Sequence, residues 1–406
     1  MKYDFTTIMN RASQDAIAID LPLQKQGIFE GLATKDDLDI IPMWVADMNF
    51  PVFPGILEAI VRRVSLGHFG YFSTREEYYD AIIAWQSIRN DVRGLAKEHI
   101  GYENGVLGGV VSALNVLCSK GDKVLVHSPT YIGFTAVLEN NGYEIVHSPL
   151  VKDTHGIWRM DYEDMEKKIV DNKIHAVIMC NPHNPCGRAW TKEELAKAYE
   201  IFQSNHVFVI SDEIWSDIIL GTNFHTPSQS VSAYARDNTI ALYAPSKTFN
   251  LAGLIGSYHI IYNKWLKERI DKESSLSHYN NMNVLSMHAL IGAYCREGAQ
   301  WVDELRQVID DNVAYACDCI RERLQGVSCM RPEATYMLFI DCSQYCATHG
   351  ITLDTLLRKG QEAGVIWQDG RPFHGENCIR INLALPTSRV TEAFERLLKY
   401  AFADSE

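Results

Sequence analysis

From about residue 100 to 262, short apolar runs alternate with longer stretches of mixed polarity. The runs 123–127, 143–146, 176–179, 207–211, 239–243 and 257–261 are each bounded by turn residues or charge, and each predicts a strand. Between them, 132–140, 161–172 and 191–205 predict helices, the last opening on Thr191 with Glu193 and Glu194 in its first turn. Strands separated by helical crossovers predict a mainly parallel sheet with helices on both faces. After residue 261 the pattern is helical to about 325. Strands at 337–340 and 378–383 then flank a helix at 353–363. The fold class expected is α/β: a large domain, 50–285, with a mainly parallel sheet covered by helices, and a smaller α+β domain, 1–49 and 286–406. The first forty-odd residues show no clear period and are expected to pack onto the small domain.

Composition narrows the function classes. With 47% apolar and 22% charged residues, a chain of 406 residues matches a soluble globular protein with a deep core. Its 38 basic and 51 acidic residues leave a net charge of −13, which argues against a nucleic-acid or anionic-membrane surface. No apolar run approaches the roughly 18 residues of a membrane span. The start, Met1-Lys2-Tyr3-Asp4-Phe5, has no apolar signal core, so a cytoplasmic location is expected. Ten cysteines include no C-x-x-C pair, and Cys317/Cys319 and Cys342/Cys346 lack histidines at zinc-site spacing. They are expected to be reduced thiols, and no metal site is expected.

The chemistry concentrates at strand ends, where open parallel sheets bind ligands. After 176–179 comes Cys180-Asn181-Pro182-His183-Asn184-Pro185-Cys186-Gly187-Arg188. After 207–211 comes Asp212-Glu213-Ile214-Trp215, and after 239–243 comes Ala244-Pro245-Ser246-Lys247-Thr248-Phe249-Asn250. An asparagine, an acid and a lysine thus converge on one sheet edge. Upstream, Asn104-Gly105-Val106-Leu107-Gly108-Gly109 leads into an apolar helix expected at 110–118. Such a start offers backbone N–H groups to a phosphate, though it is neither G-x-G-x-x-G nor a Walker loop.

These motifs, in this order, resemble those of fold-type I pyridoxal-phosphate (PLP) enzymes of the class I/II aminotransferase superfamily, over about residues 41–386. Pro42-Met43-Trp44-Val45-Ala46-Asp47-Met48-Asn49-Phe50, followed by His68-Phe69-Gly70-Tyr71, is similar to the early motif of the cysteine C–S lyase (MalY/PatB, cystathionine β-lyase) group. The resemblance implies pyridoxal 5'-phosphate as cofactor. Lys247 would supply the amine for its aldehyde and then serve as the base at the substrate Cα. Asp212 would keep the pyridine nitrogen protonated, and Asn184 would donate to the ring oxygen. Tyr131 and Ile214 would cover the two ring faces. Gly105, Val106, Leu107 and Ser246 would hold the phosphate, joined by Tyr71 across the interface of a homodimer. Arg380, in the alternating strand Cys378-Ile379-Arg380-Ile381-Asn382, would clamp the substrate carboxylate in the planar, bidentate manner of a guanidinium. Asn184, Val45 and Ala46 would complete the substrate site.

Four departures from this pattern stand out. Aminotransferases typically carry a phosphate-binding arginine eight residues after the lysine; here that position is Ile255. The C–S lyase group usually lacks it too, so its absence favours lyase over transaminase. Asn49 stands where the group usually has Asp, and Trp215 where it often has His; both bear on substrate preference. Cys186 replaces a more usual Thr or Val. The activity expected is β-elimination from an amino acid with a sulfur-bearing side chain, such as cystathionine, releasing thiol, pyruvate and ammonia. The alternatives are an aminotransferase using the same lysine, and a regulator or interaction protein that retains a PLP site.

Overall fold

The run Ala176–Cys180 is apolar and buried at every position, the pattern of a strand covered on both faces. It lies in the middle of a seven-stranded sheet in the computed structural model, which describes residues 1–276 and 280–403. The sheet and its helices form a large unit, Val52–Asn184 with Arg188–Asp303. A small unit comprises Met1–Pro51, Pro185–Gly187 and the chain from Glu304 onward.

The large unit begins with helices α1 (Pro54–Val64) and α2 (Glu76–Asn90). There follow β1 (Ile100–Glu103), α3 (Val106–Leu117), β2 (Lys123–Ser128), α4 (Ile132–Asn140), β3 (Glu144–Pro149), α5 (Tyr162–Asn172), β4 (Ala176–Cys180), α6 (Lys192–Ser204), β5 (Phe208–Asp212), β6 (Thr239–Tyr243), α7 (Pro245–Thr248), β7 (Ser257–Ile260), α8 (Lys264–Leu276) and α9 (Val284–Ala293). The strand order is β1-β7-β6-β5-β4-β2-β3. Only the pairings of β7, with β6 and with β1, are antiparallel.

Side-chain alternation explains why helices cover both faces. Val124, Val126, Ile178, Ile210, Ile240 and Leu242 share one face and pack with Val110 and Leu114 of α3 and Leu138 of α4. On the other face Thr239 bonds the hydroxyl of Tyr199, from α6, at 2.8 Å. Helix α6 starts with a reciprocal cap: Glu194 N donates to Thr191 Oγ1 at 3.2 Å, and Thr191 N donates to the Glu194 carboxylate at 2.9 Å.

The division between units falls inside helix α10 (Arg296–Arg323), after Asp303, and not at 285/286 as the hydrophobic pattern suggests. Helix α9 belongs to the large unit because Gly292 lets it close on α1. A Cβ there would stand 2.7 Å from Gly55 O and 2.8 Å from Ala59 Cβ.

The small unit contains β8 (Ser328–Cys329), β9 (Met337–Asp341), α11 (Leu353–Glu362), β10 (Gln368–Asp369) and β11 (Cys378–Asn382). Its strands form an antiparallel sheet in the order β8-β9-β11-β10, so β11 is an interior strand. The short strand Ile41–Pro42 pairs in parallel with Val365–Ile366 and ties the N-terminal segment into this unit. Among the described residues, no helix is long and apolar enough to cross a membrane, and no group of three or more His, Cys, Asp or Glu side chains could hold a metal ion.

Candidate active site

Strands β4, β5 and β6 are adjacent and parallel, so their carboxyl ends open at one edge. Asp212 is the last residue of β5, Lys247 lies in the turn of helix after β6, and Asn184 follows β4 by four residues. The loop after β4 is fastened on both sides. Asn181 N donates to Asp212 O at 2.9 Å, and the ring of His183 bonds Pro129 O at 2.7 Å through Nε2. Asn184 itself is buried, and its backbone N–H meets Cys180 Sγ at 3.5 Å.

Asp212 is 4% exposed. Its Oδ1 accepts from Ile214 N at 3.0 Å. Burial pushes its carboxyl up to about 7, against the opposing pull of that N–H and of Lys247, while Glu213 adds to the rise. Glu213, next in sequence, is held below the usual carboxylate value although burial opposes this, because His225, Tyr243 and Ser228 N surround it with donors.

Lys247 and Ser246 are half-buried in α7, which Pro245 starts. The Lys247 ammonium stands 5.7 Å from the ring centroid of Trp215. The next residue, Thr248, is anchored to Asp217, a buried acid that the sequence pattern did not single out. Asp217 also accepts from Trp85 Nε1 at 3.2 Å and faces Arg89 Nε at 3.5 Å. The residues of this support come from separate parts of the chain, so no local spacing marks them.

The helix after β1 starts earlier than its apolar run suggests. Helix α3 begins at Val106, which puts Gly108 and Gly109 inside it and not in a loop before 110. Gly105 supplies the entry with φ 78° and ψ 157°, a conformation suited to glycine. Gly109 lets the helix lie on the sheet, since a Cβ there would come 2.6 Å from Leu242 Cδ2 and 3.1 Å from Glu103 Cγ. The first N–H groups of α3, at Val106 and Leu107, have no intrahelical acceptor by the geometry of a helix start. Tyr131 precedes α4 at its N-cap, half-buried, with its ring edge-on to Phe134 at 5.4 Å. Ile214 is also half-buried, against the core under α3. Tyr71 is fully exposed, in a segment of the large unit that also exposes Phe69 and Phe72. Ile255 is half exposed at φ 43°, a rare backbone setting for a β-branched residue.

Arg380, Val45 and Ala46 belong to the small unit. Arg380 is 3% exposed on interior strand β11. Its guanidinium lies 4.4 Å from the Phe373 ring centroid, donates to Trp44 O at 3.2 Å and bonds the Gln368 side chain. The segment carrying Val45 and Ala46 is held by its carbonyls: Asn382 Nδ2 donates to Val45 O at 2.7 Å, and the Tyr336 hydroxyl to Ala46 O at 3.0 Å. Asn49 turns its Oδ1 to Arg11 at 2.9 Å, and Arg11 also pairs with Asp47.

The family model for aminotransferase class I and II matches residues 40–397. Over 361 residues the chain is 34% identical to cystathionine beta-lyase PatB of Bacillus subtilis, covering 88% of this chain and 92% of that protein. The PLP-bound C-S lyase of Staphylococcus hominis has the same fold with a TM-score of 0.85, at 31% identity over 98% of both chains. Cystalysin of Treponema denticola, whose crystal structure contains pyridoxal 5'-phosphate, gives a TM-score of 0.89 at 30% identity over 98% of both chains. With the model matching most of its length and relatives aligned nearly end to end, this chain belongs to the aminotransferase class I and II family, in its MalY/PatB group.

Proposed function

We propose that this protein is a PLP-dependent carbon–sulfur β-lyase that cleaves cystathionine or a related cysteine S-conjugate to thiol, pyruvate and ammonia. The observation that carries the cofactor assignment is Asp212, a buried acid raised to about 7 by its surroundings, with Lys247 near enough to pull the other way. A protonated pyridine nitrogen is the partner that would hold this acid ionised, so the residues fit PLP. The lyase assignment draws on relatives named for C–S cleavage and on Ile255 at the position of the aminotransferase arginine.

Bound there, PLP supplies an aldehyde carbon for the substrate amine and a ring that accepts the electron pair left at Cα. Lys247 would supply the amine that holds this aldehyde, and its Nζ, once free, would take the Cα proton. Asp212 would keep a proton on the ring nitrogen. Asn184 would donate to the ring oxygen, and Tyr131 and Ile214 would lie against the ring. The N–H groups of Gly105, Val106 and Leu107 and the hydroxyl of Ser246 receive the phosphate. Arg380 orients the substrate carboxylate, and Val45 and Ala46 border the substrate. With the electron pair at Cα so held, the sulfur would leave Cβ as a thiolate and take a proton. The three-carbon enamine released then hydrolyses to pyruvate and ammonia.

The same reading includes a homodimer in which Tyr71 reaches the phosphate of a second copy, a role open to a tyrosine exposed on the single chain. It takes the reducing cytoplasm as the setting of the ten unlinked cysteines. Incubation of purified protein with L-cystathionine, assaying pyruvate, free thiol and 2-oxo-acid-dependent amino transfer together, tests it. Pyruvate and thiol in equal amounts support the lyase. Amino transfer without thiol release overturns it in favour of an aminotransferase.

A further inference from the structure

Cys317 and Cys329 are 12 positions apart in sequence and meet in space, one near the end of α10 and the other closing β8. Their sulfurs are 3.8 Å apart, with the Cys329 thiol directed at Cys317 Sγ. Both are partly accessible, whereas Cys180, Cys186, Cys319, Cys342 and Cys346 are buried. The Cys317 thiol is held below its usual value, chiefly by that hydrogen bond and also by Arg331 and Arg321, while burial and Asp318 oppose it. The contrast with other thiols is one of environment: burial pushes Cys118 up to about 11 and raises Cys319, Cys342 and Cys346.

We propose that Cys317 and Cys329 form a peroxide-reactive dithiol, a modification site in the small unit that closes to a reversible disulfide. The reaction balances in two steps. The Cys317 thiolate attacks hydrogen peroxide: an S–O bond forms, the O–O bond breaks, and the departing hydroxide takes a proton, leaving a sulfenic acid and water. The Cys329 sulfur, giving up its proton, then attacks Cys317 Sγ: the S–S bond forms, the S–O bond breaks, and a second water leaves. Two thiols are oxidised by two electrons in total, and one peroxide is reduced to two waters. The sulfurs must close from 3.8 Å to the roughly 2.05 Å of a disulfide, a distance within reach of side-chain rotation at two partly accessible positions. Arg331 and Arg321 favour the thiolate at Cys317, so Cys317 is the attacking sulfur and Cys329 resolves it.

The geometry also connects the pair to the loop after β4. Strand β8 leads through Arg331 and Pro332 to Glu333 and Ala334, whose N–H groups donate to Gly187 O at 2.7 and 3.1 Å. Gly187 lies three residues after Asn184 in the chain.

The test is stoichiometric hydrogen peroxide on the full-length holoenzyme, followed by an alkylating quench, intact mass and peptide mapping. The expected product has lost two hydrogen atoms, carries a Cys317–Cys329 linked peptide, and returns to the starting mass with dithiothreitol. In Cys329→Ser, the expected product is a sulfenic acid at Cys317 captured by dimedone; in Cys317→Ser no linked peptide forms. Cofactor absorbance and circular dichroism show that each serine variant is folded, and the wild-type map stands without them. Oxidation that appears first at another cysteine, or a Cys317/Cys329 pair still fully alkylated when peroxide is consumed, overturns the proposal.

Discussion

Thr248 and Asp217 are joined by a buried hydrogen bond, the threonine hydroxyl donating to Asp217 Oδ2 at 2.9 Å. The same oxygen accepts from Trp85 Nε1, so one carboxylate fixes the turn that carries Lys247 to helix α2. Asp217→Ala leaves two buried donors unmet and should cost about 2–3 kcal/mol of stability. Asp217→Asn, which keeps an acceptor oxygen, should recover most of it in urea unfolding. Thr248→Val should retain cofactor colour and lose up to about a hundredfold in kcat, the scale of a displaced catalytic group. An unchanged kcat would separate this anchor from the placement of Lys247.

Lys247→Ala should abolish both the near-visible absorbance that borohydride bleaches in the wild type and the release of pyruvate from L-cystathionine. The protein should still fold, because the side chain is only half-buried. Wild-type-like turnover in this variant would sink the assignment of Lys247.

Asp212→Asn should lower turnover by about 10²–10³-fold, the cost of removing one preorganised charge from a reacting centre. It should also change the acid profile of the protein stripped of cofactor. Because the folded carboxyl is raised to about 7, above its unfolded value, the folded state binds this proton more tightly. That contribution is present at low pH and is lost as pH rises from about 4 through 7, by up to about 1.4 kcal/mol per pH unit. Urea unfolding of the stripped protein between these limits should show the trend in wild type and not in Asp212→Asn.

His127 and His183 should produce the opposite slope. Burial lowers them to about 3 and about 4, respectively, so both stay neutral in the folded state where the unfolded chain would protonate. Their contribution is complete above about pH 6.5 and falls as pH drops toward those values, by up to about 1.4 kcal/mol per pH unit for each. A His183→Gln variant should show a shallower loss of stability between pH 6 and about 4. An unaltered slope would remove His183 from the acid response.

Tyr71→Phe should weaken PLP affinity by about 1.5–3 kcal/mol, the worth of a hydroxyl at a charged acceptor, without unfolding the chain. Mixing Tyr71→Phe with Lys247→Ala chains should restore one normal site per mixed dimer, since the chain bearing Lys247 receives an intact Tyr71. A fully active monomer by sedimentation, or mixed dimers that regain no affinity, would contradict the shared site.

Much of this protein was legible along the chain. The continuous apolar strands, the capping residues Thr191 and Glu194, and the polar clusters at strand ends are local signals, and local signals follow from periodicity and turn chemistry. The helices 132–140 and 191–205 and five of the six strands expected between 123 and 261 lie within two residues of their observed limits at each end, while the run 143–146 stops three residues short of the strand end at Pro149. Strand β1 was not legible, because Ile100–Glu103 is a four-residue stretch holding one glycine and one acid, and it becomes a strand only by pairing with β7. The start of α3 depended on how closely Gly109 could approach Leu242, and the boundary at Asp303 on how Gly292 meets Gly55. The strand-end motifs named Asn184, Asp212 and Lys247, yet the anchor of Thr248 on Asp217, Trp85 and Arg89 draws on residues up to 163 positions apart. So does the contact of Cys317 with Cys329, though across only 12. Residue type and spacing dictate what a segment can do alone. Which buried donor meets which acceptor, and which thiol meets which, is decided when the segments pack, because burial makes an unmet partner costly.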